Sequence, residues 1–384
     1  MIKPIQYEPV NWVDGMKVSQ KHLDAQTNFV LDGLRDVRAT FSAAFSYGLL
    51  PLTTSHQSRN AFGAFATMTG DVTLIIPTCN AITSSGFRIA CVDVTINLKA
   101  LIPKVGEDFE HQKRAYYLVV LVNPFDKVPY GTLQLEESPP RYPYTKPTYR
   151  WEMIPVAVLE ANDSLSNGED YAIVGKFNLQ GEIIQMEEDY IPPCTSVLSH
   201  PVLLDHYSRT AKIMPLLQQY AVKILQKSGN SKQNTKLMKS VQLLCQALMH
   251  EIGTVYFYFR NVVPHVAPLH FIGCFSQLAI HLYQVTQTLS PADLEELLNY
   301  ISEWSEIPPY AWLNQLTTVA EIAYRHIDCA TPLGEIQTLL TSLELIFFTL
   351  NELDYIGQRK ENIIVNELEV PSNAKTNRGW SVLD

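Results

Sequence analysis

The stretch Asp189-Tyr190-Ile191-Pro192-Pro193-Cys194-Thr195-Ser196-Val197-Leu198-Ser199-His200-Pro201-Val202-Leu203 divides the chain into two unlike halves. Proline fixes φ and donates no hydrogen bond, so the pair Pro192-Pro193 ends any strand that runs into it. Upstream, short apolar runs alternate with Gly, Pro and Asn/Asp, the pattern of strands joined by turns. Downstream, apolar residues recur three and four apart, the pattern of amphipathic helices. The fold class read from this division is α+β and multidomain: an N-terminal antiparallel β-sandwich followed by an α-helical bundle. The expected domains are residues 1–200, a sandwich with a leading helix, residues 201–355, the bundle, and residues 356–384, a polar tail or reduced head with Trp380 as an anchoring candidate.

The upstream half opens with a helix. Ser19 is its cap, and Leu23, Phe29, Val30, Leu34, Val37 and Phe41 recur near the helical period. Gly48 and Pro51 lie beyond its end. The strand candidates follow. Val72–Ile76 is short and apolar. Phe87–Leu98 alternates in two phases, and the switch at Cys91-Val92 reads as a bulge or a crossing between sheets. Tyr116–Val122 is continuously apolar, the mark of a strand covered on both faces. Thr132–Leu135, Trp151–Leu159, Tyr171–Leu179 and Glu182–Met186 complete the set, which suits two antiparallel sheets. Between two of these runs lies SPPRYPYTKPTYRW, Ser138 to Trp151, with four prolines and four aromatics. It reads either as an extended loop packed over a sheet or as a partner-contact arm anchored by Tyr142, Tyr144, Tyr149, Arg150 and Trp151.

The downstream half reads as helices over 205–226, kinked at Pro215, then 235–259, 271–289, 291–307, 311–327 and 332–353. Ser290-Pro291 places a capping serine ahead of proline at the first helical position. Leu237, Val241, Leu244 and Leu248 form a stripe expected to bury partly between chains.

Composition narrows the function. The 384 residues are 46% hydrophobic, which excludes global disorder, and carry a net charge of −10. That balance, with no basic block, argues against nucleic acid. The N-terminus lacks an apolar region of signal-peptide type, and the best membrane candidate, Leu343–Leu350, is interrupted by Glu344 and Glu352; a cytosolic chain without membrane insertion is expected. The six cysteines have no paired spacing and read as small buried apolar residues.

Catalytic arrangements were sought residue by residue. Gly175-Lys176 lacks the Ser/Thr and the upstream glycine of a phosphate loop. His200 and His206, like His265 and His270, are spaced wrongly for ligands on one helix face. His250 and His281 read as satisfied core or interface histidines, Glu295-Glu296 as a helix first turn, and Glu187-Glu188-Asp189 as a solvated turn. The expectation is a chain that is not an enzyme, with no metal and no cofactor.

Two segments carry a resemblance. Val10-Asn11-Trp12-Val13-Asp14-Gly15-Met16-Lys17-Val18-Ser19-Gln20-Lys21-His22-Leu23 resembles the N-terminal signature of TssK, the trimeric baseplate subunit of bacterial type VI secretion systems. Trp12, Gly15, Met16 and His22 match, Asp14 stands for the acid, Leu23 takes the place of Phe, and Gln20-Lys21 keeps the Pro-Gln only loosely. Tyr190-Ile191-Pro192-Pro193 resembles the family's junction between its β and helical parts. On the residues alone, Trp12 is a staple on the first helix and His22 satisfies nearby backbone groups. Like Gly15, Met16, Pro192 and Pro193, they are read as structural, a direct partner contact being the lesser alternative for Trp12 and His22.

The resemblance implies a phage-shoulder-like β-sandwich, a helical neck, a homotrimer, and a non-catalytic adaptor role. Its implied partners are the wedge proteins TssF and TssG and the inner-membrane complex, at the cytoplasmic face of the inner membrane. Family members carry a further α/β head, for which about thirty residues after Leu353 are too few. The competing reading is a phage-tail receptor-binding component sharing the shoulder. A hydrolase would need a nucleophile–base pair that the sequence does not offer.

Overall fold

The structure, a computed structural model, describes residues 3–51, 63–66, 72–102, 114–161, 169–181, 183–230 and 235–360. Helix α1, Gln20–Phe41, starts where Ser19 indicates, and the Ser19 amide donates to His22 Nδ1 at 3.2 Å. Its apolar stripe, however, faces away from the body. Leu23, Val30, Leu34, Val37 and Phe41 are exposed, Phe41 to 86%, whereas Asp32, Arg35 and Ala39 are buried. The polar face is inward because it holds an extended N-terminal strap whose backbone groups need partners. Asp32 Oδ2 accepts from the amides of Gln6 and Tyr7, Arg35 donates to the carbonyls of Lys3 and Pro4 at 2.8 and 3.1 Å, and Gln26 accepts from the Val10 amide.

Two antiparallel sheets follow. In the first, β3 (Val72–Ile82) is central: β1 (Gly48–Leu49) and β2 (Gly63–Ala66) pair with it, as does β4 (Arg88–Asn97). In the second the order is β6-β5-β7-β8, with β5 Arg114–Tyr130, β6 Tyr144–Pro155, β7 Asp170–Gln180 and β8 Ile183–Met186. The double covering of 116–122 is observed. Tyr116, Leu118, Val120 and Val122 enter the main core, while Tyr117, Val119 and Leu121 enter a second one with Ile154, Ile173 and Tyr190.

Three strand expectations change. The phase switch in β4 inserts no extra residue, since the register with β3 is unbroken on both sides; it sits at Asp93, φ +51°, opposite Pro77, which has no amide to pair. Thr132–Leu135 belongs to a loop, and the Pro-rich segment becomes strand from Tyr144, because β5 runs on to pair Tyr130 with Tyr144. The run 151–159 is strand only to Pro155, followed by the short helix α3, Val156–Ala161; α2 is likewise short, Leu98–Leu101.

The junction is a structural element in its own right. The Leu49 amide donates to Pro193 O at 2.7 Å and the Thr195 amide to Leu49 O at 2.9 Å, so residues 193–195 run parallel to β1. Gly48 has φ +103°, and a Cβ there would lie 2.0 Å from Pro193 O.

The helices are α4 (Pro201–Asn230), α5 (Lys236–Asn261), α6 (Pro268–Gln287), α7 (Pro291–Ser305), α8 (Pro309–Ala320) and α9 (Ala330–Glu352). Prolines 201, 268, 291 and 309 each open a helix, which moves three starts upstream of the expected residues 205, 271 and 311. Pro215 lies inside α4 without ending it. Helix α8 stops at Ala320 and not at Ile327, because the residues after it turn: His326 Nε2 donates to Tyr47 O at 2.9 Å and Nδ1 accepts from Tyr324 Oη at 2.7 Å. Leu237, Val241, Leu244 and Leu248 are buried within the single chain, so that stripe is intramolecular. The buried core is continuous from Leu74 and Ile89 in the sheets to Leu340 and Phe347 in α9.

Among the described residues α9 alone is long and apolar enough to cross a membrane, with a mean hydropathy of 1.3 over 18 residues, half of that window buried in the bundle. The sequence reading misses this window because it weighs Glu344 and Glu352 as breaks. Beyond α9 the chain returns to α7: Gly357 N donates to Tyr300 Oη, Trp304 Nε1 to Gln358 O, and Arg359 pairs with Glu303 at 2.8 Å. The start of the expected polar tail is therefore docked. The rest, with Trp380, lies outside the described residues.

Candidate functional site

Beyond the sandwich, β5 and β6 continue as a two-stranded arm, Val128–Tyr130 paired with Tyr144–Lys146, closed by a loop in which Gln134 bridges Arg141. The extension follows from the shift between Asn123 and Lys127, where three residues of β5 loop out and Phe125 packs on Tyr7 and Phe87. The arm displays Tyr130, Leu133, Leu135, Tyr142 and Tyr144, Leu135 exposed to 74% and Tyr144 to 69%. Lys146 Nζ lies 4.9 Å from the centre of the Tyr130 ring. Large apolar groups concentrated on a projecting element are the usual mark of a partner-binding surface.

The five anchors expected from the sequence are therefore divided. Tyr142 and Tyr144 are on the arm. Tyr149 and Trp151 are half-buried against the core, and Tyr149 Oη accepts from the Ala90 amide at 3.3 Å. Arg150, on the opposite face, is held by Glu152 at 2.6 Å and Glu169 at 2.8 Å. Alternation along β6 explains the division: neighbours in a strand point to opposite faces. Of the arm residues missed in the sequence, Tyr130 ends the strand opposite the Pro-rich run and Leu133 and Leu135 lie in the loop that closes the arm, so only the pairing of Tyr130 with Tyr144 brings them near Tyr142 and Tyr144.

A cavity of about 480 Å³ lies at the arm's base, between the strap, α1 and β5–β6, lined by Lys3, Asp32, Arg35, Phe125, Arg150 and Asp170. Two ion pairs in it, Lys3–Asp170 and Asp32–Arg35 at 2.9 Å each, hold the strap, and Thr148 Oγ1 donates to Asp126 Oδ2 at 3.0 Å. The motif residues act locally. Trp12 packs edge-on to His22 with ring centres 6.2 Å apart and stays 49% exposed, which makes it a partial staple at best. Gly15 takes φ +78° in the turn before the helix, and Met16 is half-buried.

The titratable groups sit in apolar surroundings. All six cysteines are buried and free, and burial pushes the thiols of Cys79, Cys245 and Cys329 up to about 12. Burial, with no partner on Nδ1, pushes the imidazole of His200 down to about 4. His281 lies 2.9 Å from Glu251. No group of three or more His, Cys, Asp or Glu able to hold a metal occurs among the described residues.

No family model and no curated protein matches this sequence. The fold has matches among solved structures. A crystal structure of TssK is similar with a TM-score of 0.51 at 14% identity, over 88% of this chain and 69% of that one. The chain has a TssK-like fold. A chain of the baseplate complex from the type VI secretion system is similar to the same degree, TM-score 0.51 at 11% identity, over 88% of this chain and 99% of that one. A chain of the TssK–TssF–TssG baseplate subcomplex follows at 0.48 and 12% identity, covering 88% and 99%. In the TssK-like fold seen here, the sandwich and the bundle occur in the order that the Tyr190–Pro193 junction implies.

Proposed function

We propose that this chain is a non-catalytic structural adaptor of a type VI secretion baseplate. In this reading it is a homotrimer that links TssF and TssG to the inner-membrane complex at the cytoplasmic face of the inner membrane. Residues 1–200 serve as shoulder, 201–355 as neck and 356–384 as a terminal segment. Two features support it: the TssK-like fold, and the Trp12–His22 and Tyr190–Pro193 motifs. The observation that carries it is the arm. Leu135 and Tyr144 project apolar surface from a β-ribbon tied to the sandwich, a geometry for gripping another protein and not a small molecule.

The test is light scattering on the purified full chain, alone and mixed with candidate TssF and TssG proteins. A mass of three chains that moves into a larger complex is the expected result. A stable monomer that ignores both wedge proteins overturns the reading.

A further inference from the structure

In the arm both strands are edges. Strand β6 ends the second sheet, and β5 pairs with β7 only from Arg114 to Val122, so from Lys127 onward its far side meets no strand among the described residues. An open ribbon of this kind offers its outward amides and carbonyls to any strand that approaches. The prolines decide what this ribbon offers. Pairs along an antiparallel ladder alternate between those that exchange backbone hydrogen bonds and those whose amides and carbonyls turn outward. Here they run Lys127–Pro147, Val128–Lys146, Pro129–Thr145 and Tyr130–Tyr144. Pro147 and Pro129 fall in alternate pairs, and Pro143, packed beside Gly131, continues the same phase. Proline has no amide to give, so it sits in a ladder where that amide would point outward. Val128–Lys146 and Tyr130–Tyr144 are therefore the hydrogen-bonded pairs. On the outer edge of β6, Pro143 and Pro147 withhold their donors and leave Thr145 alone between them; on that of β5, Pro129 withholds its own.

We infer that the arm is closed to strand addition and takes hold of its partner by side chains alone, through a tyrosine–lysine face that fits an apolar hollow edged by a carboxylate. The inference rests on the reading of the arm as the grip on TssF and TssG and says how that grip works. Directly paired residues, and residues two apart in a strand, share a face, so Val128, Tyr130, Tyr144 and Lys146 stand together. Tyr130 and Tyr144 are exposed there, and Lys146 Nζ lies 4.9 Å from the centre of the Tyr130 ring. No carboxylate among the described residues pairs with Lys146. The neighbouring cations are engaged, Arg141 by Glu137 and Lys127 by the side chain of Asn28. The face thus carries two rings and one uncompensated positive charge. Rings with polar tips are suited to an apolar hollow, and the ammonium calls for a negative group at its edge. A strand laid along β6 would find the single donor of Thr145, too little to build a ladder.

The experiment uses the full chain and begins without a partner. Residue-resolved hydrogen exchange should find the amides of Val128, Tyr130, Tyr144 and Lys146 slow and that of Thr145 fast; the reverse order overturns the edge assignment. The immobilised chain is then titrated with candidate TssF and TssG proteins. Thr145→Pro removes the last outward donor of β6 and should leave affinity within about twofold, because no backbone bond is used. Lys146→Glu should weaken it by about tenfold, with the larger effect at low salt. In the wild-type complex Thr145 should go on exchanging fast, a reading that stands even where Thr145→Pro does not fold. Protection of Thr145 on capture, affinity lost in Thr145→Pro, or affinity kept in Lys146→Glu each overturns the side-chain grip and leaves the adaptor reading standing. A wild-type chain that captures neither protein overturns the adaptor reading and the grip with it, while exchange in the free chain still decides whether the edges are closed.

Discussion

Asp32 and Arg35 stand one turn apart on α1, their charged groups 2.9 Å from each other and only 1% and 2% exposed, on the face opposite Leu34. Between them they take four backbone groups of the strap, the amides of Gln6 and Tyr7 and the carbonyls of Lys3 and Pro4. The pair sets both where the strap lies and which way the apolar stripe of α1 points.

Removing one partner leaves a buried charge without its counterpart, which costs about 3–5 kcal/mol. Arg35→Ala is therefore expected to lower unfolding free energy by that order and to speed hydrogen exchange at the amides of Gln6 and Tyr7. A variant within 1 kcal/mol of wild type in urea unfolding would show that the clamp is not structural.

Leu135 and Tyr144 make no core contact, so Leu135→Ser/Tyr144→Ser should change stability by no more than about 0.5 kcal/mol per site. The same double variant should weaken capture of the wedge proteins by at least about tenfold, the usual scale for two anchoring side chains. Titration by surface plasmon resonance reads the effect; unchanged affinity would remove the arm from the interface.

Gly48 joins a left-handed backbone to a steric limit. In Gly48→Ala the new Cβ meets Pro193 O at 2.0 Å and the residue keeps an unfavourable φ, so a loss of about 3 kcal/mol or more is expected. Thermal unfolding with an unshifted midpoint would mean that the junction does not need the close approach.

His200 is buried and uncharged, its pKa about 4 against 6.5 for the free side chain. The unfolded chain thus takes up a proton on His200 below pH 6.5 that the folded chain refuses until about pH 4. Stability is full above pH 6.5 and declines across that window by up to about 3 kcal/mol. His200→Gln should flatten this decline in denaturant midpoints measured from pH 7.5 to 4.5; an identical slope would place the effect elsewhere.

The division at Pro192-Pro193, the double-sided strand at 116–122 and the caps at Ser19 and Ser290 were legible because each depends on local chemistry. The side to which α1 turns its stripe was not. Periodicity locates an apolar face but does not say whether its cover is the same chain, and here the decisive contacts come from the strap, up to 32 positions away from Arg35. The Leu237–Leu248 stripe shows the converse error, an apolar face assigned to a partner that its own bundle fully covers. The arm was half visible: Tyr142 and Tyr144 stood out among prolines, but Leu133 and Leu135 acquire meaning only from the pairing of Tyr130 with Tyr144. Tyr149 and Trp151 turn toward the core, an alternation that shows only once the segment is read as strand.

The backbone ladder between Leu49 and residues 193–195 also decides how the molecule answers to force. A flexible tether would let the bundle swing while the sheets stay still. Here the bundle cannot swing away from the sheets unless the Leu49–Pro193 and Thr195–Leu49 bonds part first, so the start of the bundle and β1 move as members of one ladder.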